Sequence, residues 1–245
     1  MTTAFAAAKQ ATKALLAEAG LEIRRVGVPG KPATVAEYRH AMMRHNQIDV
    51  VLDVGANTGQ YALQLRARGY RGRLISFEPL SSAFAVLAAH LSNDHNWSAH
   101  NVAIGAHTGD SVIHISRNSY SSSLLPMLDS HKLSAPDSGY ISDECIKLAT
   151  LDELVPITNA DSTMLKIDTQ GYEHLVLAGA IATLKNVFLI ECELSLVPLY
   201  SGQYLLPDMV ALFAASGFRP VAFEREFSDD HTGYALQVNG FFCRS

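Results

Sequence analysis

Residues 49–59 read DVVLDVGANTG, a short apolar run followed directly by a glycine-rich turn. The run 49–54 is typical of a buried strand, and the residues from Gly59 to Arg68 favour a helix. Gly55 and Gly59 would let the backbone approach a ligand closely, and the first amides of a helix can donate hydrogen bonds to it. In an open parallel sheet such a turn lies at the carboxyl end of its strand, where ligands bind. The stretch therefore predicts an α/β fold with a ligand site at this turn.

The alternation of strands and helices continues along the rest of the chain. Further strands are predicted at 73–78, 97–104, 111–116, 163–168 and 187–191, and helices at 3–19, 34–45, 81–91, 173–184 and 208–216. Residues 219–227 and 234–243 predict a closing pair of strands. Apolar strands that alternate with helices indicate a mostly parallel sheet covered on both faces.

The composition indicates a globular protein with one main domain. The chain has 245 residues and a formal net charge of -5, with 48% hydrophobic and 18% charged residues. Such a composition supports a packed core, and the length suits one α/β domain with an appendage. We expect a helical appendage at residues 1–47 and the main domain at 48–245. The mild acidity gives no electrostatic reason to expect a nucleic acid as partner.

The cysteines and the apolar stretches bear on the compartment. Cys145, Cys192 and Cys243 are odd in number, widely spaced and without a CxxC pair. They are poor material for a disulfide framework or a zinc site, so they favour a reducing, cytoplasmic location. Charged residues interrupt the long apolar stretches, so no transmembrane segment is expected.

Two carboxylates near the turn indicate the class of cofactor. Glu78 ends the second predicted strand, nineteen residues after Gly59, where a carboxylate can accept both hydroxyls of a ribose. Asp53 would repel the pyrophosphate that a dinucleotide brings to this turn, and Asn57 replaces the middle glycine of the dinucleotide motif. S-adenosylmethionine has no phosphate, and its amino and sulfonium groups are cationic. The residues therefore favour S-adenosylmethionine over NAD(P).

Several short motifs occur in the order found in one known family. They are DVGANTG at 53–59, FEP at 77–79, NVAIG at 101–105, SSSL at 121–124, TLDEL at 150–154, LKIDTQGYE at 165–173 and LIE at 189–191. In this combination the chain resembles the FkbM family of S-adenosylmethionine-dependent methyltransferases over roughly residues 48–195. The resemblance implies the Rossmann-like class I methyltransferase fold, a mostly parallel seven-stranded sheet with an antiparallel C-terminal strand. It also implies O-methylation of a sugar hydroxyl in a glycolipid, polysaccharide or natural-product glycoside, as in actinobacterial members that methylate deoxysugars of glycolipids.

The resemblance also assigns roles to residues of the cofactor site. It implies that Asp53, Gly55, Asn57 and Gly59 line the methionine end of the cofactor and that Glu78 binds the ribose. It places Asn101 and Ala103 beside the adenine. An acceptor carried on a lipid would in addition bring the protein into transient contact with a membrane surface.

Catalysis by such an enzyme calls for a base near the acceptor hydroxyl, because a sugar hydroxyl is a weak acid. Asp168 and Glu173 are the favoured candidates, since both flank the turn at the end of a strand. His174 stands where the family usually has an apolar residue, so it is either a substrate-specific base or a surface residue, and the surface interpretation is favoured. Glu193 stands where relatives often carry a histidine, which puts a family-wide basic role there in doubt.

Substrate and metal contacts are predicted from fewer signals. Ser122 and Ser123 belong to a serine-rich loop expected on the substrate side, and Glu191 could bind substrate hydroxyls or pair with Lys166. A divalent metal held by strand-end carboxylates is an alternative that the sequence does not favour, since the nearest cluster is Asp229-Asp230-His231. An NAD(P)-dependent oxidoreductase and a non-catalytic binding module remain the competing functions.

Overall fold

The computed structural model describes residues 34–155 and 162–245. The predicted helix at 3–19 and most of the predicted appendage lie outside the described residues. The chain divides into two units, Met1–Ala41 and Met42–Ser245. Helix α1 (Val35–His45) confirms the helix expected at 34–45. It begins after a reciprocal cap, in which Thr34 N donates to the Glu37 carboxylate and Glu37 N donates to Thr34 Oγ1.

The main sheet has seven strands in the order β3-β2-β1-β7-β8-β10-β9. Strand β10 runs antiparallel to both of its neighbours, and the remaining pairs are parallel. The strands are β1 (Val50–Val54), β2 (Arg73–Phe77), β3 (Trp97–His100), β7 (Thr163–Ile167), β8 (Val187–Ser195), β9 (Phe218–Arg225) and β10 (Gln237–Arg244). The expected α/β fold class, with its antiparallel C-terminal strand, is confirmed.

Side chains from the two faces of this sheet pack into two separate hydrophobic cores. Successive side chains of a strand point to opposite faces, so Leu52 and Val54 join one core, whereas Val51 joins the other. Helices α2 (Gln60–Ala67) and α3 (Ser81–Leu91) pack on the Val51 face, and α6 (Glu173–Ala178) and α7 (Leu206–Ala215) on the opposite face. Among the described helices, none combines the length and apolar character needed to cross a bilayer.

A second, three-stranded sheet with the order β4-β6-β5 was not expected from the sequence. Its strands are β4 (Ala103–Ile104), β5 (Gly109–Ser116) and β6 (Tyr140–Ala149). The expected single strand 97–104 is therefore wrong, because the chain leaves one sheet at Asn101 and enters the other at Ala103. The Asn101 amide holds this break by donating to the Glu78 and Pro79 carbonyls, each at 2.9 Å.

The helix expected at 173–184 is also shorter, ending at Ala178. A Cβ on Gly179 would lie 2.0 Å from the Gly105 carbonyl oxygen, so the two backbones touch at this point. The chain resumes as a 3₁₀ turn, Thr183–Asn186, and the amides of Ala182 and Thr183 at its start donate to the Asp152 carboxylate. The remaining short elements are α4 (Asp129–Ser134), a 3₁₀ turn at Pro136–Ser138 and α5 (Leu151–Leu154).

Candidate active site

A row of four polar side chains crosses the otherwise apolar sheet near the carboxyl ends of its strands. Ser76, Asp53, Lys166 and Glu191 are register neighbours on β2, β1, β7 and β8. Asp53 is fully buried, and Lys166 and Glu191 are 9% and 3% exposed. Charged groups at this depth need partners, because water cannot solvate them. The row is therefore a connected electrostatic unit beneath the glycine-rich turn.

Lys166 joins the turn after β1 to the turn after β7. Its ammonium lies 3.4 Å from Asp53 Oδ1 and 3.5 Å from Asp168 Oδ2, and it donates to the Gly55 carbonyl at 3.1 Å. Burial alone would lower the pKa of Lys166, but the carboxylates of Asp168, Asp53 and Glu191 outweigh it and raise the pKa. Lys166 is thus a permanent cation that holds three parts of the site together.

Asp53 lies below the surface in this arrangement. Besides the ion pair with Lys166, its Oδ2 accepts from Ser76 Oγ at 3.5 Å. Direct contact of Asp53 with a ligand stays a prediction. From the sequence, Lys166 was predicted only as a partner for Glu191. A lysine in a buried strand was nevertheless a signal that it pairs with a buried carboxylate such as Asp53.

The glycine-rich turn is held by backbone contacts to neighbouring strands. Gly55 has φ +78°, and a Cβ there would lie 1.8 Å from the Asp168 carbonyl oxygen. Asn57 is also left-handed, with φ 48°, and its side chain accepts from Thr58 N at 2.8 Å. Gly59 packs against the Trp97 ring. The three turn residues predicted for the methionine end therefore form one tightly packed loop.

Glu78 reaches this turn from the end of β2. Its Oε2 accepts from Asn57 N at 2.7 Å and its Oε1 accepts from Leu80 N at 2.8 Å. Burial raises the pKa of Glu78 to about 7 despite these two hydrogen bonds. Each oxygen keeps a second lone pair for a ligand hydroxyl. The adjacent Asn101 is exposed, whereas Ala103 is 4% exposed and packs in a core, so adenine contacts of both stay predictions.

Glu173 closes the turn that follows β7. Its Oε1 accepts from Thr169 N at 3.0 Å, Thr169 Oγ1 at 3.2 Å and Gly171 N at 3.1 Å. The side chain is 6% exposed, and burial raises its pKa to about 7. These contacts make Glu173 a residue that shapes the turn, whereas a role as base would need access to the acceptor.

The pH dependence of stability tests this role of Glu173. A Glu173→Gln variant keeps an oxygen that can accept the same hydrogen bonds. Because the folded-state pKa of about 7 exceeds the ordinary 4.5, the native protein keeps a proton that the unfolded chain releases between these values. We expect the wild type to lose on the order of 2 kcal/mol of unfolding free energy relative to the variant as the pH rises through this window. Urea unfolding of both proteins at either end of the window measures it, and a pH-independent difference contradicts it.

Asp168 is the accessible carboxylate of this turn, with 40% of its side chain exposed. Gln170 Nε2 donates to Asp168 Oδ1 at 3.0 Å and to Glu193 Oε2 at 2.7 Å. The Tyr200 hydroxyl donates to Gln170 Oε1 at 2.8 Å and so fixes which end of the amide faces the carboxylates. The sequence indicates no role for Gln170, because its partners lie up to 30 residues away along the chain and no local pattern points to these hydrogen bonds.

A cavity of about 360 Å³ opens beside Asp168 at the same edge of the sheet. Its lining residues are Asn118, Tyr120, Ser121, His131, Ala135, Asp168, Gln170, Glu193, Glu226, Phe227 and Gln237. Cavities of this size hold small ligands, and polar groups at fixed positions orient them. Of the three catalytic candidates from the sequence, this lining contains Asp168.

The remaining predicted residues lie outside the cavity lining. Ser122 Oγ accepts from Ser116 N at 3.0 Å, and the buried Ser123 donates from Oγ to the Gln170 carbonyl at 2.7 Å. The His174 ring stacks on Tyr204 with ring centres 4.3 Å apart, and burial lowers its pKa. Ser121 is the serine that lines the cavity.

Glu191 and the residues considered for a metal have structural contacts of their own. Glu191 Oε2 accepts from the Tyr61 hydroxyl at 2.8 Å within the polar row. Asp229 Oδ1 accepts from His231 N and from Thr232 N and Oγ1, which closes a hairpin loop. Within residues 34–155 and 162–245, no group of three or more His, Cys, Asp or Glu residues is arranged to hold a metal ion.

Comparison with known proteins gives one match by sequence and several weak matches by structure. The family model of the methyltransferase FkbM domain matches residues 53–220. Among proteins of curated function, none matches the chain. A methyltransferase FkbM structure from Methylobacillus flagellatus is 13% identical with a TM-score of 0.47, and the match covers 79% of this chain and 43% of that one. A 1,6-didemethyltoxoflavin-N1-methyltransferase from Burkholderia thailandensis is 10% identical with a TM-score of 0.47, covering 84% of this chain and 76% of that one. This chain thus spans less than half the length of the FkbM structure that it resembles.

Proposed function

Because the chain belongs to the methyltransferase FkbM family, we propose that it transfers a methyl group from S-adenosylmethionine to a hydroxyl of a sugar. The observation that carries the proposal is the exposed carboxylate of Asp168 beside a polar, partly aromatic cavity. Amides, carboxylates and aromatic rings together offer hydrogen-bond partners and an apolar surface, which is what a sugar ring needs.

The residues around the turn suit this methyl donor. Asp168 and Glu78 offer acceptor oxygens, and the cation below them, Lys166, is already paired with Asp53 and Asp168. A group with hydroxyls and positive charge fits such a set better than a pyrophosphate, which would need free donors or cations. Glu78 would accept hydrogen bonds from the ribose, and the backbone of the turn at Gly55 and Asn57 would lie against the rest of the cofactor. When bound, S-adenosylmethionine supplies an electrophilic methyl group, and its sulfur keeps the electron pair of the broken bond.

Asp168 would act as the general base. Lys166 holds one of its oxygens at 3.5 Å and Gln170 holds the other at 3.0 Å, so the carboxylate has a fixed orientation toward the cavity. As the acceptor oxygen forms its bond to the methyl carbon, the hydroxyl proton would pass to Asp168. Positioning of this kind and general-base catalysis both contribute to such a displacement.

We propose the cellular location of the protein and its partners from its free thiols and its net charge. The free thiols of Cys145, Cys192 and Cys243 are consistent with a reducing cytoplasm. A net charge of -5 does not favour a nucleic acid as substrate. An acceptor attached to a lipid would bring the protein to a membrane surface transiently.

Binding of S-adenosylhomocysteine, measured by calorimetry as a function of pH, tests the cofactor site. Ribose hydroxyls donate to the ionised form of Glu78, and with a pKa of about 7 the free protein carries a proton there at lower pH. We therefore expect affinity to rise as the pH increases through 7. Glu78→Gln should weaken binding by about 10- to 100-fold at high pH and remove this rise. Equal affinity of both proteins across the range would refute the assignment, and transfer of labelled methyl to a panel of sugars tests the reaction itself.

A further inference from the structure

The Gln170 amide joins two carboxyl groups that line the cavity, and the interpretation of this pair rests on the proposed function. Gln170 Nε2 donates to Asp168 Oδ1 at 3.0 Å and to Glu193 Oε2 at 2.7 Å. Both hydrogens of this nitrogen are thus used, and the Tyr200 hydroxyl, which donates to Gln170 Oε1, fixes the orientation of the amide. An acceptor in the cavity therefore meets Asp168 and Glu193 side by side.

The two carboxyl groups have different partners. Asp168 has the Lys166 ammonium 3.5 Å from its Oδ2. Glu193 is partly buried, and its partners among the described residues are the neutral amides of Gln170 and Gln237, at 2.7 and 2.6 Å. Neighbouring carboxyl groups in different surroundings divide into one that stays ionised and one that keeps a proton. The ammonium favours the charge on Asp168, so the proton belongs on Glu193.

Burial and nearby charge both favour the protonated form of Glu193. Burial raises its pKa well above the usual range, and negative charge on Asp168, Glu173 and Glu226 raises the pKa further. The Lys166 ammonium lowers the pKa, but it is the smallest of these effects. Glu193 is therefore an uncharged carboxylic acid, which donates one hydrogen bond and accepts others.

The hydrogen bonds to Glu193 decide which of its oxygens carries the proton. Oε2 accepts from both amide nitrogens, so its two lone pairs are used and it is the carbonyl oxygen of the acid. Oε1 has no hydrogen-bond partner among the described residues, and it is not one of their enclosed unpaired atoms. The proton therefore lies on Oε1, where it faces whatever occupies the cavity.

We propose that Glu193 donates a hydrogen bond from Oε1 to a hydroxyl oxygen of the acceptor, adjacent to the hydroxyl whose proton passes to Asp168. The acceptor is thus a ring with hydroxyls on two neighbouring carbons. One amide nitrogen lies within 3.0 Å of both carboxyl groups, so neighbouring hydroxyls are close enough to meet both. Glu193 keeps its proton throughout the reaction, and its contact holds the reacting hydroxyl in the orientation that methyl transfer needs.

Glycoside binding to the protein saturated with S-adenosylhomocysteine, followed by ligand-detected NMR, tests the contact. The probes are methyl glucoside, methyl galactoside and their monodeoxy derivatives, each of which lacks one hydroxyl. In the wild type, loss of the hydroxyl that Glu193 contacts should weaken binding by about tenfold. Glu193→Gln should keep this difference, because its oxygen still accepts from the two amides and its NH₂ group then faces the acceptor. Glu193→Met has no donor and should lose the difference.

Two further measurements sharpen the test. Glu226→Met is the matched control, since it makes the same replacement at another carboxyl group of the cavity lining and should keep the difference. Infrared difference spectra report the proton directly. At neutral pH the wild type should show a C=O band of a protonated carboxyl group that Glu193→Gln lacks, and glycoside binding should shift this band to lower frequency.

The outcomes separate this inference from the proposed function. If Glu193→Gln binds glycosides as weakly as Glu193→Met, or if the wild type lacks the carboxyl band, Glu193 is not a donor, and sugar methylation still stands. Equal effects of every deoxy derivative on the wild type and Glu193→Met also overturn the contact. If no glycoside binds while S-adenosylhomocysteine does, the cavity is not a sugar site and the inference fails. If S-adenosylhomocysteine itself does not bind, the proposed function fails first, and the inference with it.

Discussion

Asp168→Asn is expected to lower kcat for methyl transfer by about 10²- to 10⁴-fold, the usual contribution of a general base. The carboxamide has nearly the shape of the carboxylate but cannot take the proton of an acceptor hydroxyl at neutral pH. S-adenosylhomocysteine affinity, measured by calorimetry, should change much less, because the proton is needed in the reaction and not for cofactor binding. Turnover with the best acceptor of a sugar panel, followed through labelled methyl groups, gives the rate.

Two variants of the neighbouring candidates serve as matched controls for Asp168. Glu173→Gln preserves an acceptor for the turn amides, and His174→Phe preserves a ring to stack on Tyr204. Both should keep kcat within a few-fold of the wild type. If Asp168→Asn retained nearly full turnover while either control lost it, the base would be the control residue and the role of Asp168 would be refuted.

The surroundings of the three candidate bases distinguish them from one another. All lie within seven residues of one another in the chain, so spacing alone could not choose among them. In the structure the Asp168 side chain is 40% exposed at a cavity, whereas Glu173 is committed to three donors of its own turn. Accessibility is a property of the folded turn, and it makes Asp168 the candidate that can meet an acceptor.

The main sheet could be predicted because its information is local. The strand at 50–54, the turn to Gly59, the repeated apolar strands and the closing strand pair each carry their own pattern. The antiparallel direction of the C-terminal strand followed from the resemblance. The first residues of strand β6, 140–143, carry no such pattern. Most of their side chains are exposed, so the residues up to Asp143 read as a polar stretch.

The site was less predictable because its contacts join distant residues. Gln170 meets Glu193 across 23 residues, and Gln237 meets Glu193 across 44. Nothing in the sequence around either glutamine distinguishes it from a glutamine that is exposed to solvent. Lys166 was recoverable in part, because a lysine in a buried strand needs an anion, and the parallel register of β1 and β7 supplies Asp53.

Gly55→Ala is expected to cost about 4–5 kcal/mol or more of unfolding free energy, which is a large part of the stability of a typical domain. Its φ is +78°, and the new Cβ would lie 1.8 Å from the Asp168 carbonyl oxygen, a backbone atom that cannot turn aside. The ends of β1 and β7 would have to separate, and with them the hydrogen bond from Asp168 N to the Val54 carbonyl at 3.0 Å. The variant should therefore be largely unfolded or bind no S-adenosylhomocysteine.

Comparison with Gly202→Ala separates the backbone strain at Gly55 from the steric clash of the new Cβ. Gly202 has the same φ of +78°, but a Cβ there would meet nothing within 4 Å. Its cost should be only that of placing alanine in a left-handed conformation, about 1 kcal/mol. Urea unfolding of the two variants beside the wild type measures the difference. Equal losses would mean that backbone strain alone accounts for Gly55, and the close contact between the turn and Asp168, on which the placement of the base depends, would then be wrong.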